Sequence, residues 1–450
     1  MDRFFRISER GSSLGTEVLG GVVTFATMAY ILVVNPSILG SLPDSGGTTL
    51  DHGQLVTVTA LVAGVMTIAM GLFANVPMAL AAGLGVNAFV AFTLVAGRGL
   101  TWPEAMGVIV IEGIVMLVLV LVGLREAIMN AIPDGLKRAI AGGIGLFIAL
   151  IGLVEGGVVV HPEDNSTVLR LSPEFGDWNT VVFVVALVII AVLMARGVPG
   201  ALLIGIVAAT VVGFIVNAVR TGTPVPGAEL HGSVAAAPDF GLVGNFSFNV
   251  FDVVGFGAAL ALIVTVLMAN FFDAMGTALA IGREANLTDA QGQLPQMRRV
   301  LIVESAGAIA GGAASASSNT IFVESTAGAA QGARTGFANV VTGLLFLLAM
   351  FFAPLAGVIP AAATGPALVV VGALMISQVA GIDWTDMGIA VPAFLTIVLM
   401  PFTYSIANGV GAGMVLYVLI ALGRGQWRRI HPLMAIVAAV FVWYFVRGPI

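Results

Sequence analysis

The chain reads as an all-α polytopic membrane protein, and three observations carry that reading. Of 450 residues, 59% are hydrophobic and only 9% charged. One apolar run after another reaches the roughly 18–20 residues that cross the hydrocarbon core of a bilayer. Lys and Arg gather at alternate ends of these runs, as orientation in a membrane requires. The composition also sets classes aside. Cysteine is absent, which removes disulfides, thiol nucleophiles and Cys metal sites. With a single lysine, Lys137, and a net charge of -6 there is no basic patch for nucleic acid.

Residues 1–16 are polar and basic and are read as a cytoplasmic N-terminus rather than a cleavable signal, since the first apolar run is itself long enough to span. Spans are predicted at 17–39, 55–74, 76–95, 104–123, 136–154, 179–196, 199–219, 254–279, 298–313, 318–330, 335–352, 364–380, 386–402 and 404–422. A last apolar run, 432–446, is short for a crossing and stands open between an interfacial helix and a shortened span. On this count all but Arg98, Arg170, Arg220 and Arg447 of the 18 Lys and Arg fall on the cytoplasmic side, as expected for a multi-pass cell-membrane protein. The loops 155–178 and 220–253 carry Glu155, Glu163, Asp164, Glu174 and Glu229 and read as solvated outer caps. Glu17 reads as interfacial. His52, His161, His231 and His431 all fall in predicted loops, which argues against a buried metal centre or a His relay.

An internal duplication shows within the chain. Asp177-Trp178 precedes Val192-Leu193-Met194, and Asp383-Trp384 precedes Val398-Leu399-Met400, at one offset of 206 residues that Gly205 and Gly411 also keep. If each half holds seven spans, an odd number, the halves enter the membrane in opposite senses. Inverted repeats of this kind place a binding site near the midplane where the halves meet.

The apolar segments break in matching places. Pro77–Asn87 is small and glycine-containing before Ala88–Val95, and Gly311–Thr320 is Gly/Ser/Ala-rich before Ile321–Ala330. Such openings favour an extended first half and a helical second half. Irregular backbone at membrane depth persists only where protein buries it or it lines a cavity. Close helix packing is the competing use of the glycines. Two carboxylates lie in or beside these regions: Glu324 in the second break and Asp273 in the run Leu260–Leu279. An ionisable group held in the bilayer costs at least a few kcal/mol, so each is a hypothesis about substrate or ion handling.

Several stretches then resemble a known family. Thr24-Phe25-Ala26-Thr27-Met28-Ala29-Tyr30 through Asn35-Pro36, Gly83-Leu84-Gly85-Val86-Asn87-Ala88-Phe89, Phe272-Asp273-Ala274-Met275-Gly276-Thr277, Val323-Glu324-Ser325-Thr326-Ala327-Gly328, Arg334-Thr335-Gly336 and Met400-Pro401-Phe402-Thr403-Tyr404-Ser405-Ile406 are similar to the nucleobase–cation symporters, adenine/guanine/hypoxanthine permease subfamily, in matching order. The resemblance implies the nucleobase/ascorbate transporter fold: 14 transmembrane segments in two inverted seven-span repeats, with short strands opening spans 3 and 10. It implies a core domain (17–123 and 254–352), a gate domain (136–219 and 360–422), proton-coupled purine uptake with no cofactor besides the proton, and a homodimer through the gate. Binding positions carry over to Asn87, Asp273 and Glu324, with Gly85 beside the first and Phe322 packing on the base. Ala82-Gly83 replaces a usual Pro-Gly, and Ser317–Phe322 a usual Thr-rich run ending in Tyr, departures that bear on which purine is preferred.

On the chemistry, Glu324 accepts N–H groups of the base, Asn87 pairs with its opposite edge, and Asp273 is the candidate proton carrier, though two interacting carboxylates titrate as a pair. Thr277, one turn after Asp273, is a supporting candidate. Glu112 and Glu304 read either as interhelical hydrogen-bond acceptors or as further working acids, and Thr24 and Thr27 either as packing or as site residues. Gly142-Gly143-Ile144-Gly145 lacks the strand and Lys of a phosphate loop and reads as a packing face. The competing functions are an anion transporter or a xanthine/uracil permease on the same architecture. No nucleophile–base pair or nucleotide motif supports an enzyme.

Overall fold

The computed structural model describes residues 2–123, 131–162, 168–173, 175–219, 225–228, 233–291 and 293–446. Glu163, Asp164, Glu174, Arg220, Glu229, His231 and Arg447, assigned above to loops or ends, lie outside the described residues. The first predicted span is two helices, α1 (Leu14–Met28) and α2 (Ile31–Leu39), parted at Ala29 and Tyr30. Ser13 caps α1, accepting the Thr16 N–H at 3.2 Å, and Asp51 caps α3 (His52–Phe73), accepting the Gln54 N–H at 2.9 Å. The chain then enters strand β1 (Leu80–Ala82) and short helix α4 (Leu84–Ala88), which runs on as a π-helix over Phe89–Ala96. Helices α5 (Trp102–Leu121), α6 (Asp134–Glu155), α7 (Trp178–Ala195) and α8 (Ala201–Val219) follow, with a small pairing of β2 (Val159–Val160) and β3 (Arg170–Leu171) after α6.

In the second half, α9 (Phe256–Glu284) has 29 residues, ~43 Å of helix at 1.5 Å per residue. It is followed by α10 (Met297–Ala313), strand β4 (Asn319–Ile321), α11 (Ser325–Ala330), α12 (Gly336–Ala349), α13 (Ala361–Ile376), α14 (Met387–Phe402), α15 (Ile406–Gly423) and α16 (Pro432–Val446). Among the described residues, ten helical stretches are long and apolar enough to cross a membrane. The chain is a multi-pass membrane protein.

Lipid tails are as apolar as leucine, so helices here are held together by close approach rather than by escape from water. Gly64 and Gly71 of α3 face Gly343 and Gly336 of α12, and a Cβ on Gly336 would lie 2.0 Å from the Gly71 carbonyl. The same device joins α6 to α13, where Gly145 and Gly152 face Gly372 and Gly365. Helices α1, α3, α5, α9, α10 and α12 pack chiefly among themselves, as do α6, α7, α8, α13, α14 and α15. Between these groups lie α4, which touches α2, α6 and α9, and α16, which packs on both α9 and α15.

At the centre, β1 and β4 pair antiparallel, with Leu80 opposite Ile321, Ala81 opposite Thr320 and Ala82 opposite Asn319. Two such short strands leave their outer edges unpaired, and side chains from flanking helices fill them. On the β1 side, Thr67 of α3 accepts the Leu80 N–H at 2.9 Å and donates to the Leu80 carbonyl at 3.0 Å. On the β4 side, Glu304 of α10 accepts the Ile321 N–H at 3.4 Å. Ser325 accepts the Ala79 N–H at 3.0 Å, and Asn339 donates to the Met78 carbonyl at 2.7 Å. Before β4 the chain reverses through Ser315 and Ser317, both left-handed at φ 57° and 66°, a conformation that costs about 1–2 kcal/mol in a residue with a Cβ.

Three readings need correction. Glu17, expected at the interface, is fully buried and accepts the Arg334 N–H at 2.8 Å and the Thr335 N–H at 3.3 Å, fastening α1 to the turn before α12. Glu155, expected in a solvated cap, ends α6 with both carboxylate oxygens buried and without a hydrogen-bond partner. His52, expected in a loop, is the first residue of α3. The open segment 432–446 is one continuous helix whose Phe441 fills the space at Gly411 of α15 and whose Trp443 fills that at Gly257 of α9. Tyr444 donates to Asn408 at 3.2 Å, and the Arg98 guanidinium lies 4.8 Å from the Tyr444 ring.

The edge bonds predict a stability effect. Thr67→Val keeps shape but strips both partners from Leu80, and a buried backbone group left unmade costs about 1–3 kcal/mol. The melting temperature of the purified protein in detergent is expected to fall by several degrees. An unchanged melting curve would refute this role for Thr67.

Candidate functional site

The strand pair aims the elements that follow it. Glu324 sits at the N-cap position of α11 three residues past β4, yet its side chain makes no capping bond. It turns instead to Tyr30, between α1 and α2, whose hydroxyl donates to Glu324 Oε1 at 2.6 Å. Tyr30 is 1% exposed, and its ring lies 6.4 Å from that of Phe322, tilted at 44°. Phe322 is buried, and its N–H donates to the Ala79 carbonyl at 3.0 Å, so its backbone is an extension of the strand pair.

Asp273, on α9, lies within electrostatic reach of Glu324. It makes no hydrogen bond or ion pair among the described residues and its side chain is exposed, although α9 is otherwise well packed here. Gly276 and Ala280, three and seven residues on, are exposed on the same face, and a Cβ at Gly276 would meet nothing within 4 Å. One stripe of α9 therefore opens on free space from Asp273 toward Arg283 and Glu284. Thr277 is half-buried and has no hydrogen bond among the described residues.

Asn87 lies in α4, between α9 and α6, and is wholly buried with neither its amide nitrogen nor its oxygen hydrogen-bonded. Gly85 meets α6: a Cβ there would sit 2.7 Å from Ile144. The structure gives Gly85 a packing contact between the two helix groups. Beyond Asn87, Phe92, Phe147 of α6 and Tyr404 form a closed aromatic triangle, with ring centroids 5.1–6.4 Å apart and edge-on geometry. Gly142, Gly143 and Gly145 pack against Val379, Met400 and Met375.

Behind the strands lies a second polar layer. Asn270, one turn before Asp273, donates to Glu112 Oε1 at 3.1 Å and to Ser318 at 3.0 Å. Glu304 lies within reach of both Asp273 and Glu112, and its bond to Ile321 gives it a place in the strand edge. Thr27 bonds to the Val23 and Thr24 carbonyls at 3.0 and 2.9 Å, and Thr24 lies against Gly328, so both serve the packing of α1 on α11. Sequence reasoning missed Tyr30 and Asn270. The signal was present in Tyr30, one of only 4 tyrosines and set in an apolar run.

This geometry, two acids flanking a paired break in a membrane bundle, meets its counterpart in known proteins. A family model for xanthine/uracil permeases, described as a permease family, matches residues 15–411. The chain belongs to this family of nucleobase permeases. Among its relatives, the guanine/hypoxanthine permease of Bacillus subtilis (strain 168) is 39% identical over 449 residues, 99% of each chain. An adenine permease of Escherichia coli (strain K12) is 36% identical over 447 residues, 98% of this chain and 95% of that one. The family consists of transporters rather than enzymes. Of solved structures, the transmembrane domain of a cyanobacterium bicarbonate transporter, BicA, shares the fold at a TM-score of 0.65 and 17% identity, over 88% of this chain and 97% of that one. The overall structure of SLC26A9 does so at 0.64 and 11%, over 91% of this chain and 65% of that one.

The unpartnered amide of Asn87 predicts a separation of stability from binding. Removing a buried polar group that has no partner relieves its desolvation. Asn87→Leu is expected to leave the substrate-free protein at least as thermostable as the wild type in detergent, and a lowered melting temperature would show the amide to be structurally satisfied.

Proposed function

We propose that the protein is a symporter that imports purine nucleobases together with protons, by alternating access. The observation that carries this reading is the pairing of Glu324 and Asp273 at the strand break, in a chain related over its full length to purine permeases. A purine is flat and uncharged, with N–H donors beside acceptors on its edges. Glu324 receives N–H groups, Phe322 and Tyr30 supply the apolar wall, and Asn87 presents a donor and an acceptor to another edge. Thr277 and Gly85 act from the periphery. Asp273, exposed and unpaired, carries the coupling proton, and its closeness to Glu324 links protonation to binding.

In this reading the chain crosses the membrane fourteen times as two inverted seven-span repeats, from a cytoplasmic N-terminus. Residues 17–123 and 254–352 form the moving core and 136–219 and 360–422 the gate, through which two copies pair. The open stripe of α9 leads to the side bearing Arg283, the cytoplasm. The triangle of Phe92, Phe147 and Tyr404 would act as the outer barrier of an inward-facing state. Anion transport is the second reading, favoured by the fold shared with BicA and SLC26A9. Two carboxylates at the site suit N–H donors and repel an anion.

Reconstituted in liposomes with an inward proton gradient, the protein should concentrate labelled hypoxanthine, with adenine, guanine, xanthine and uracil as competitors ranking its preference. Asp273→Asn is expected to exchange purine across the membrane but not to concentrate it. Glu324→Gln and Asn87→Leu should each raise KM at least about tenfold, or ~1.4 kcal/mol. Concentrative uptake by Asp273→Asn with unchanged pH dependence would remove the coupling role. Bicarbonate or chloride flux without purine uptake would favour the anion reading.

A further inference from the structure

We infer that Tyr30 is a specificity-determining positioning residue, which leaves Glu324 one free oxygen and so selects 6-oxopurines lacking a 2-amino group over those carrying one. The inference rests on Glu324 being the group that receives the base. The Tyr30 hydroxyl lies 2.6 Å from Glu324 Oε1, a short, charge-assisted distance. Tyr30 is 1% exposed and its ring is fixed beside Phe322, so the hydroxyl cannot swing away without unpacking the wall of the site. Besides its own backbone N–H, Tyr30 is the one hydrogen-bond partner of the half-exposed Glu324 carboxylate among the described residues, which leaves Oε2 the oxygen more open to a ligand.

A carboxylate with both oxygens free is matched by two parallel N–H donors, the arrangement that makes bidentate pairs strong. Guanine presents such a pair, its ring N1–H beside its 2-amino group. Hypoxanthine presents the N1–H alone, flanked by C2–H. With one lone pair of Oε1 engaged by Tyr30, the second donor of guanine must share that oxygen with the hydroxyl and makes a weaker hydrogen bond than it would to a free oxygen. Hypoxanthine loses nothing. A site that leaves a buried ligand donor poorly paired discriminates more strongly than one that offers extra apolar contact. Phe at position 30 would keep the ring and release Oε1.

The test is competition of hypoxanthine and guanine for uptake in liposomes, by wild type and Tyr30→Phe, with Vmax and KM measured for each base. Wild type is expected to favour hypoxanthine by about tenfold in KM, and Tyr30→Phe to erase that preference by lowering the KM of guanine relative to hypoxanthine. Equal competition in the wild type overturns the inference without need of any variant, as does a change in Tyr30→Phe that is the same for both bases. Absence of any purine uptake by the wild type is the distinct failure of the underlying function.

Discussion

Everything at the centre of this molecule depends on keeping the backbone of six strand residues hydrogen-bonded at a depth where no bulk water can help. The pairing of β1 with β4 satisfies the facing edges, Thr67 and Glu304 meet outward groups of Leu80 and Ile321, and Ser325 and Asn339 meet the backbone of Ala79 and Met78 just before β1, each from a different element. That requirement explains why so many polar side chains crowd one layer of an otherwise apolar chain. It also explains the glycines there. A Cβ on Gly311 would lie 1.8 Å from the Ser317 carbonyl, and one on Gly83 3.0 Å from Thr320. The first contact leaves no room for a side chain.

The strand pair also joins the halves of the chain. Because β1 belongs to one half and β4 to the other, α4 and α11 leave a common point, and Asn87, within the single turn of α4, and Glu324, at the start of α11, are both set by the strand pair. Tyr30 adds a third anchor by reaching from the junction of α1 and α2 to the carboxylate. Asp273 stands apart from this framework, on a helix face that opens on free space. The two acids thus differ in kind: one is held by the Tyr30 hydroxyl and the other makes no hydrogen bond or ion pair among the described residues.

Much of this was legible beforehand, and the reasons are particular. The broken segments announced themselves because Gly, Ser and Asn interrupt runs that are otherwise Leu, Val and Ile, and the spans because lipid demands length. The acids Asp273 and Glu324 stood out for the same reason, since the surrounding residues made any charge conspicuous. What could not be read was partnership. Nothing in the sequence around Glu17 says that two backbone N–H groups from the turn after α11 will converge on it, and nothing around Glu155 says that its carboxylate ends buried. Tyr30 was present in a quoted motif, but its contact with a residue 294 positions away is a product of tertiary packing. The packing of Gly85 against Ile144 of α6 was likewise not to be read from its neighbours in sequence.

The final helix adds a property of its own. Trp443 is seated in the notch that Gly257 leaves in α9, while its neighbour Tyr444 is tied to Asn408 in α15. Any slide of α9 along α15 must pull one of these adjacent rings from its seat. An indole leaving such a notch changes its surroundings abruptly, so the fluorescence of Trp443 would report any such slide.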